Sequence, residues 1–195
     1  MHPLVNLTKL AVESYIKENK IIKPPANLPK EFSRSEFAEL LKRKAGTFVT
    51  IEKNGELRGC IGTYLPIRAN IAEEIIHNAI TAATRDFRFD PIQEKELPDL
   101  SYTVYILSEP ELMKGLEEFD PKKYGIIVRT APIMSPDGTD VVFNGHFMAK
   151  TGLLLPDLEG VDTVKQQLAI ACQKGGIDAR REKIIIYRFT VEKYQ

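Results

Sequence analysis

Apolar positions along this chain fall into short runs whose period switches repeatedly between that of a helix and that of a strand. Over residues 5–19, Leu7, Leu10, Ala11 and Tyr15 recur at helical spacing and predict an amphipathic first helix. Pro24, Pro25 and Pro29 forbid its continuation, so 23–30 reads as an extended surface linker. Ser35 is placed to cap a second helix over 36–44, ended by Gly46. Residues 48–51 and 57–63 are strand-like runs joined across Asn54-Gly55, a dipeptide that tolerates the positive φ angles of a tight hairpin. A helix over 69–83 follows, with Ile71, Ile75, Ala79 and Ala82 as its buried stripe.

Strands are expected over 101–107, 125–130 and 141–147, with a turn at Pro136-Asp137-Gly138 between the last two. Val161, Val164, Leu168 and Cys172 share one face of a helix over 161–174, and Gly175-Gly176 supplies its stop. A strand over 183–194 closes the chain. Helices mix with hairpins instead of alternating strictly with strands. That order predicts an α+β fold with largely antiparallel sheets.

Composition excludes several function classes. The chain has 195 residues, 43% hydrophobic and 28% charged, which is ordinary for a globular domain. Twenty-seven basic residues balance 27 acidic ones, so no global field favours nucleic acid or an anionic membrane. No apolar run approaches the roughly 20 residues that span a bilayer, and no basic segment precedes an apolar signal core. A cytoplasmic protein is expected. Cys60 and Cys172 lie far apart and form no C-x-x-C pair. Neither the phosphate-loop nor the dinucleotide-binding glycine pattern occurs, and no motif calls for a cofactor.

Candidate chemistry centres on Leu57-Arg58-Gly59-Cys60-Ile61-Gly62. On a regular strand Arg58 and Cys60 share one face, while Leu57 and Ile61 point into the core. A guanidinium beside a thiol favours the thiolate, and Gly59 and Gly62 leave room for a ligand or a second backbone to approach. Buried cysteines commonly act as small hydrophobes, so packing and reactivity both stay open for Cys60. Cys172, on an apolar helical face, reads as core.

In Arg85-Asp86-Phe87-Arg88-Phe89-Asp90-Pro91 the phenylalanines are expected to anchor the segment. Arg85, Asp86 and Arg88 then either clamp an anion or fix the loop by pairing with each other. His146 is a candidate base for Cys60. No two histidines stand at metal-ligand spacing, so no metal site is expected.

The hexapeptide at 57–62 resembles the hallmark of the AMMECR domain family, named from a human X-chromosomal deletion syndrome. Phe48-Val49-Thr50, Arg85 to Phe89 with Pro91, Gly152-Leu153-Leu154-Leu155-Pro156 and Lys174-Gly175-Gly176-Ile177 are similar to further parts of its pattern. The resemblance covers about residues 5–193 as one domain. It implies an α+β fold of two unequal lobes, with the motif near a cleft. It also implies association with a Memo-like protein and a radical SAM protein, and a factor in RNA modification has been suggested for the family. After Pro156 this chain carries Asp157-Leu158-Glu159-Gly160 where many members carry a longer segment, usually with a tryptophan, and it has no tryptophan. Two functions follow as expectations. One is an accessory or catalytic subunit using Cys60 as nucleophile or acceptor thiol. The other is a binding module in which Arg58, Gly59, Gly62, Arg85, Asp86 and Arg88 hold a small anionic ligand or peptide.

Overall fold

The computed structural model describes residues 2–24, 42–115, 119–131 and 149–195, together with the backbone of 142–143 and 146–147. In chain order its elements are α1 (Pro3–Glu18), β1 (Thr47–Lys53), β2 (Glu56–Thr63), α2 (Ile71–Thr84), β3 (Leu100–Leu107), β4 (Glu111–Leu112), β5 (Gly125–Thr130), β6 (Val142–Phe143), β7 (His146–Phe147), β8 (Thr151–Leu154), α3 (Val164–Gly175), β9 (Ile184–Phe189) and β10 (Val191–Tyr194). A 3-10 turn over Glu94–Asp99 leads into β3. This is an α+β fold whose two four-stranded sheets are ordered β10-β3-β1-β2 and β4-β9-β5-β8. Contacts divide the chain into two units, Met1–Ser108 with Glu192–Gln195, and Glu109–Val191.

In the first unit, β1 pairs antiparallel with both β2 and β3. Strand alternation sends Val49, Ile51, Tyr102 and Val104 to one face, where each is 5% exposed or less and packs with α1 and α2. α1 turns Leu4, Val5, Leu7, Ala11 and Val12 inward, but Leu10, counted in the apolar stripe, is 50% exposed. Asn19 ends α1 in the left-handed region at φ 52°. The predicted stripe of α2 is buried throughout.

α2 also carries a polar anchor. The Glu74 carboxylate, 1% exposed, accepts from Thr63 Oγ1 at 2.6 Å and from the Ile67 and Arg68 amides at 2.9 and 2.8 Å. These bonds satisfy a buried charge and tie the segment after β2 to the helix.

In the second unit β5 lies between β8 and β9, antiparallel to both, and α3 packs on β5 and β8. Ile126, Val128, Leu154, Ala171 and Cys172 form its core. Thr163 caps α3 through a reciprocal bond with Gln166, so the helix starts three residues later than the apolar spacing alone suggests. Gly176, at φ 61°, ends it. A side chain at Gly152 would overlap the Ala171 carbonyl of α3, so helix backbone rests directly on strand backbone there. Gly152→Ala is therefore expected to destabilise the second unit by roughly 1–3 kcal/mol, the cost of overpacking. Thermal denaturation measures it, and an unchanged midpoint would mean that α3 can shift freely.

Several sequence expectations are corrected. The expected strand over 141–147 is two short strands, β6 and β7, paired with each other. The expected strand over 183–194 divides at Thr190, β9 joining the second sheet and β10 the first. β4 and β8 were not predicted, being two and four residues long. For the helix expected over 36–44, residues 36–41 lie outside the described residues and 42–44 are not helical. Linker residues 25–30 and the turn at 136–138 also lie outside them.

Candidate functional site

The site is built on the β1–β2 hairpin. Asn54 and Gly55 make the turn at φ 54° and 84°, as the dipeptide predicts. From the open end the pairs run Phe48 with Gly62, Val49 with Ile61, Thr50 with Cys60 and Ile51 with Gly59, and then the register shifts. Glu52 next faces Leu57, which leaves Arg58 as the extra residue of a bulge. The regular alternation expected for Arg58 and Leu57 therefore fails. Leu57 stands opposite Glu52 and is 43% exposed, not core, whereas Ile61 does pack against the core as expected.

Gly59 and Gly62 answer to two different packing demands. A side chain on Gly59 would overlap the Ala82 carbonyl of α2, and one on Gly62 would overlap the Phe48 ring. Cys60 lies between them on the face away from the helices. It is half-buried, and Thr50 Oγ1 donates to its sulfur at 3.3 Å. Thr50 pairs in turn with Thr103, and Phe48 with Tyr105, so hydroxyls and rings surround the thiol on this face. Burial, then the charges of Cys60 and Glu52, push the Tyr105 phenol up from its ordinary value.

β2 is an edge strand, and its free edge at Cys60 is filled by an ion pair. Asp86 Oδ2 accepts from the Cys60 amide at 2.8 Å, while Arg88 Nη2 donates to the Cys60 carbonyl at 3.3 Å. Arg88 grips Asp86 through Nε at 2.9 Å and Nη2 at 2.6 Å. Both main-chain groups of Cys60 thus point outward, away from β1. Thr50 and Cys60 are therefore a non-hydrogen-bonded pair, the kind whose side chains approach closest, in keeping with the Thr50–sulfur bond. The Asp86 side chain is 2% exposed, and the Arg88 bond, aided by the Cys60 and Arg88 amides, lowers its pKa to about 2 against the cost of burial. Arg88 is raised, chiefly by the same bond.

Arg58 reaches a different carboxylate. Its Nε and Nη2 donate to Glu96 Oε1 and Oε2 at 3.2 and 3.1 Å, and Nη1 donates to the Asp90 carbonyl at 2.8 Å. Lys53 Nζ adds a third cationic contact to Glu96 at 3.0 Å. The Arg58 bonds, then the Gln93 amide, outweigh burial and bring Glu96 to about 2. The Phe89 ring sits between the two guanidiniums, 5.9 Å from Arg58 and 5.4 Å from Arg88. Phe87, expected to anchor the loop beside Phe89, is 95% exposed. Arg85 is exposed as well.

The structure thus brings Arg58, Gly59, Cys60, Gly62, Asp86 and Arg88 together, with Arg85 beside them on the loop after α2. His146 contributes only its backbone to β7, so the role expected for its imidazole falls outside the described side chains. Sequence reasoning missed Thr50, Lys53 and Glu96. Thr50 was hidden by the bulge, since the turn alone would set it opposite Gly59, and Glu96, 38 positions from Arg58, carried no signal. Among the described residues no cluster of three or more His, Cys, Asp or Glu is arranged to hold a metal ion, and no helix is long and apolar enough to cross a membrane.

Comparison with known proteins completes the description. A Thermotoga maritima protein is 46% identical over 195 residues, spanning 100% of this chain and 98% of its own length. A Clostridium acetobutylicum protein is 40% identical over 98% of this chain, which spans only 34% of that relative. The crystal structure of an uncharacterised Pyrococcus horikoshii protein superposes with a TM-score of 0.76 at 30% identity, covering 97% of this chain and 88% of that one. The family model described as AMMECR1 matches residues 5–194. By match length and by these relatives, the chain belongs to the AMMECR1 family.

Proposed function

We propose that the protein is an AMMECR1-family subunit in which Cys60 serves as a nucleophile or acceptor thiol, working beside a Memo-like protein and a radical SAM protein. One observation carries this reading over that of an anion-binding module. Arg58 and Arg88 already hold Glu96 and Asp86 in bidentate contacts, whereas the thiol is half-buried with a hydroxyl donating to it. A donor at sulfur stabilises negative charge there as the thiol proton passes to water. The sulfur then bonds to an electrophilic carbon, whose leaving group departs with its bonding electrons. The partnership is what the family resemblance implies; the Clostridium acetobutylicum relative carries a stretch similar to this chain within a much longer protein.

Alkylation of the native protein with iodoacetamide tests the thiol. Cys60 is expected to react well before Cys172, which is 6% exposed and whose thiol burial pushes up. Cys60→Ser is expected to keep the fold and partner binding while abolishing activity of a reconstituted three-component system. Equal protection of both cysteines until unfolding, or full activity of the serine variant, would return Cys60 to a packing role. The binding-module reading would then stand, with Arg85 and the exposed part of Arg88 as its free positive charge.

A further inference from the structure

The Arg88 guanidinium is spent along one edge and open at the other end. Nε and Nη2 hold Asp86, and Nη2 also reaches the Cys60 carbonyl at 3.3 Å. A guanidinium carries its N–H donors in a fixed planar fork. Those on Nη1 have no acceptor among the described residues, and the Arg88 side chain is 42% exposed. Arg58 differs on both counts, since its Nη1 donates to the Asp90 carbonyl and its side chain is 16% exposed.

That open end lies beside Cys60. Both main-chain groups of Cys60 meet the Asp86–Arg88 pair at the free edge of β2. Arg88 is raised chiefly by the Asp86 bond, and the charge and side chain of Cys60 add to it, so sulfur and guanidinium are neighbours. Asp86, 2% exposed and held by four donors, keeps the fork from turning. The next main-chain groups to point outward from β2 are those of Gly62, which have no hydrogen bond among the described residues. The edge beyond the ion pair is therefore open to a ligand.

We infer that Nη1 of Arg88 is an oxyanion donor and that the electrophile of Cys60 is an acyl compound, an ester or a thioester. The inference rests on the reading of Cys60 as a nucleophile. The thiol proton passes to water and the sulfur bonds to the carbonyl carbon, whose oxygen gains negative charge and accepts from Nη1. Collapse of this intermediate breaks the bond to the alkoxide or thiolate leaving group. That group departs with the bonding electrons, and a thioester remains on Cys60. A neutral carbonyl needs no excess of positive charge to approach, and the donor acts only as charge develops in the transition state. This suits a guanidinium whose charge Asp86 already balances.

Two reagents separate this role from mere exposure of the thiol. p-Nitrophenyl acetate acylates through an oxyanion, whereas iodoacetamide alkylates by displacement at saturated carbon without one. Both rates are read on the full chain from the mass of the peptide bearing Cys60 after timed quenching. Arg88→Lys keeps a cation on Asp86 but removes the fork. It is expected to slow acetylation of Cys60 roughly ten- to a hundredfold while alkylation changes less than about twofold. An enclosed oxyanion hole would lose more, but Arg88 is 42% exposed. Asp86→Asn combined with Arg88→Gln, which leaves no unpaired charge on the edge, should lower the ratio of acetylation to alkylation in the same way. An unchanged ratio in either variant, or equal slowing of both reactions, would overturn the inference and leave Cys60 a nucleophile. A Cys60 inert to iodoacetamide in the parent protein would remove the nucleophile, and the inference with it.

Discussion

Asp86→Ala is expected to cost about 3 kcal/mol of stability, near the lower end for breaking a buried ion pair. The value falls at that end because Arg88, 42% exposed at its side chain, can turn to water once released. What cannot turn away is the Cys60 amide, whose hydrogen bond at 2.8 Å is to Asp86. Four donors converge on this carboxylate: that amide, the Arg88 amide, and Nε and Nη2 of Arg88. Urea denaturation followed by circular dichroism measures the loss. Asp86→Ala combined with Arg88→Ala should cost less than the sum of the single changes, because the two side chains act as one unit on the strand edge. A further consequence is local. With the edge of β2 uncapped at Cys60, alkylation of that thiol should change rate in Asp86→Ala even under conditions where the variant is fully folded. Additive energies, or a stability loss below about 1 kcal/mol, would mean that the pair only decorates the edge.

That pair also shows why part of the site was legible and part was not. Asn54-Gly55 fixed the hairpin turn, and with it the pairs nearest the turn, Lys53 with Glu56 and Glu52 with Leu57, because a two-residue loop admits little choice of register. The stripe of α2 was legible for a similar reason: Ile71, Ile75, Ala79 and Ala82 have a single buried arrangement on a helix. The bulge at Arg58 was not. One extra residue in a strand leaves no mark in the apolar pattern, yet it brings Cys60 opposite Thr50, where an unbroken register would put Gly59, and leaves Arg58 with no residue opposite it.

The ionic partners divide in the same way. Asp86 and Arg88 are two residues apart, and their pairing was one of two open readings. Glu96 reaches Arg58 only because the chain folds back through the 3-10 turn before β3, a tertiary event with no local signature. It occupies the guanidinium that the sequence had placed beside the thiol. The division of 183–194 into β9 and β10 was likewise hidden. Ile184 to Tyr194 contains neither proline nor glycine, and the two strands separate because they belong to different sheets.

Acid should strip stability from the protein mainly through Glu96 and Asp86, and this is the second large effect. Both carboxylates sit at about 2 in the folded chain, against ordinary values of 4.5 and 3.8. A folded value below the unfolded one means that the unfolded chain binds protons first as pH falls. Their contribution is therefore complete above about pH 5 and is lost progressively between there and about pH 2. Shifts of this size at side chains 11% and 2% exposed correspond to about 2–3 kcal/mol for each group. Urea midpoints measured between pH 7 and pH 2.5 should fall steeply across that window. In Glu96→Gln the protein should be less stable at neutral pH, because Arg58 and Lys53 lose their shared anion. Its midpoint should then fall less steeply than that of the parent, with one proton-linked group fewer. Asp86→Asn should flatten the curve in the same way, and the double variant should flatten it further. Were Glu96→Gln to keep the parent's full acid slope, the Arg58–Glu96 contact would carry no charge-dependent stability, and Arg58 would be free to serve the thiol after all.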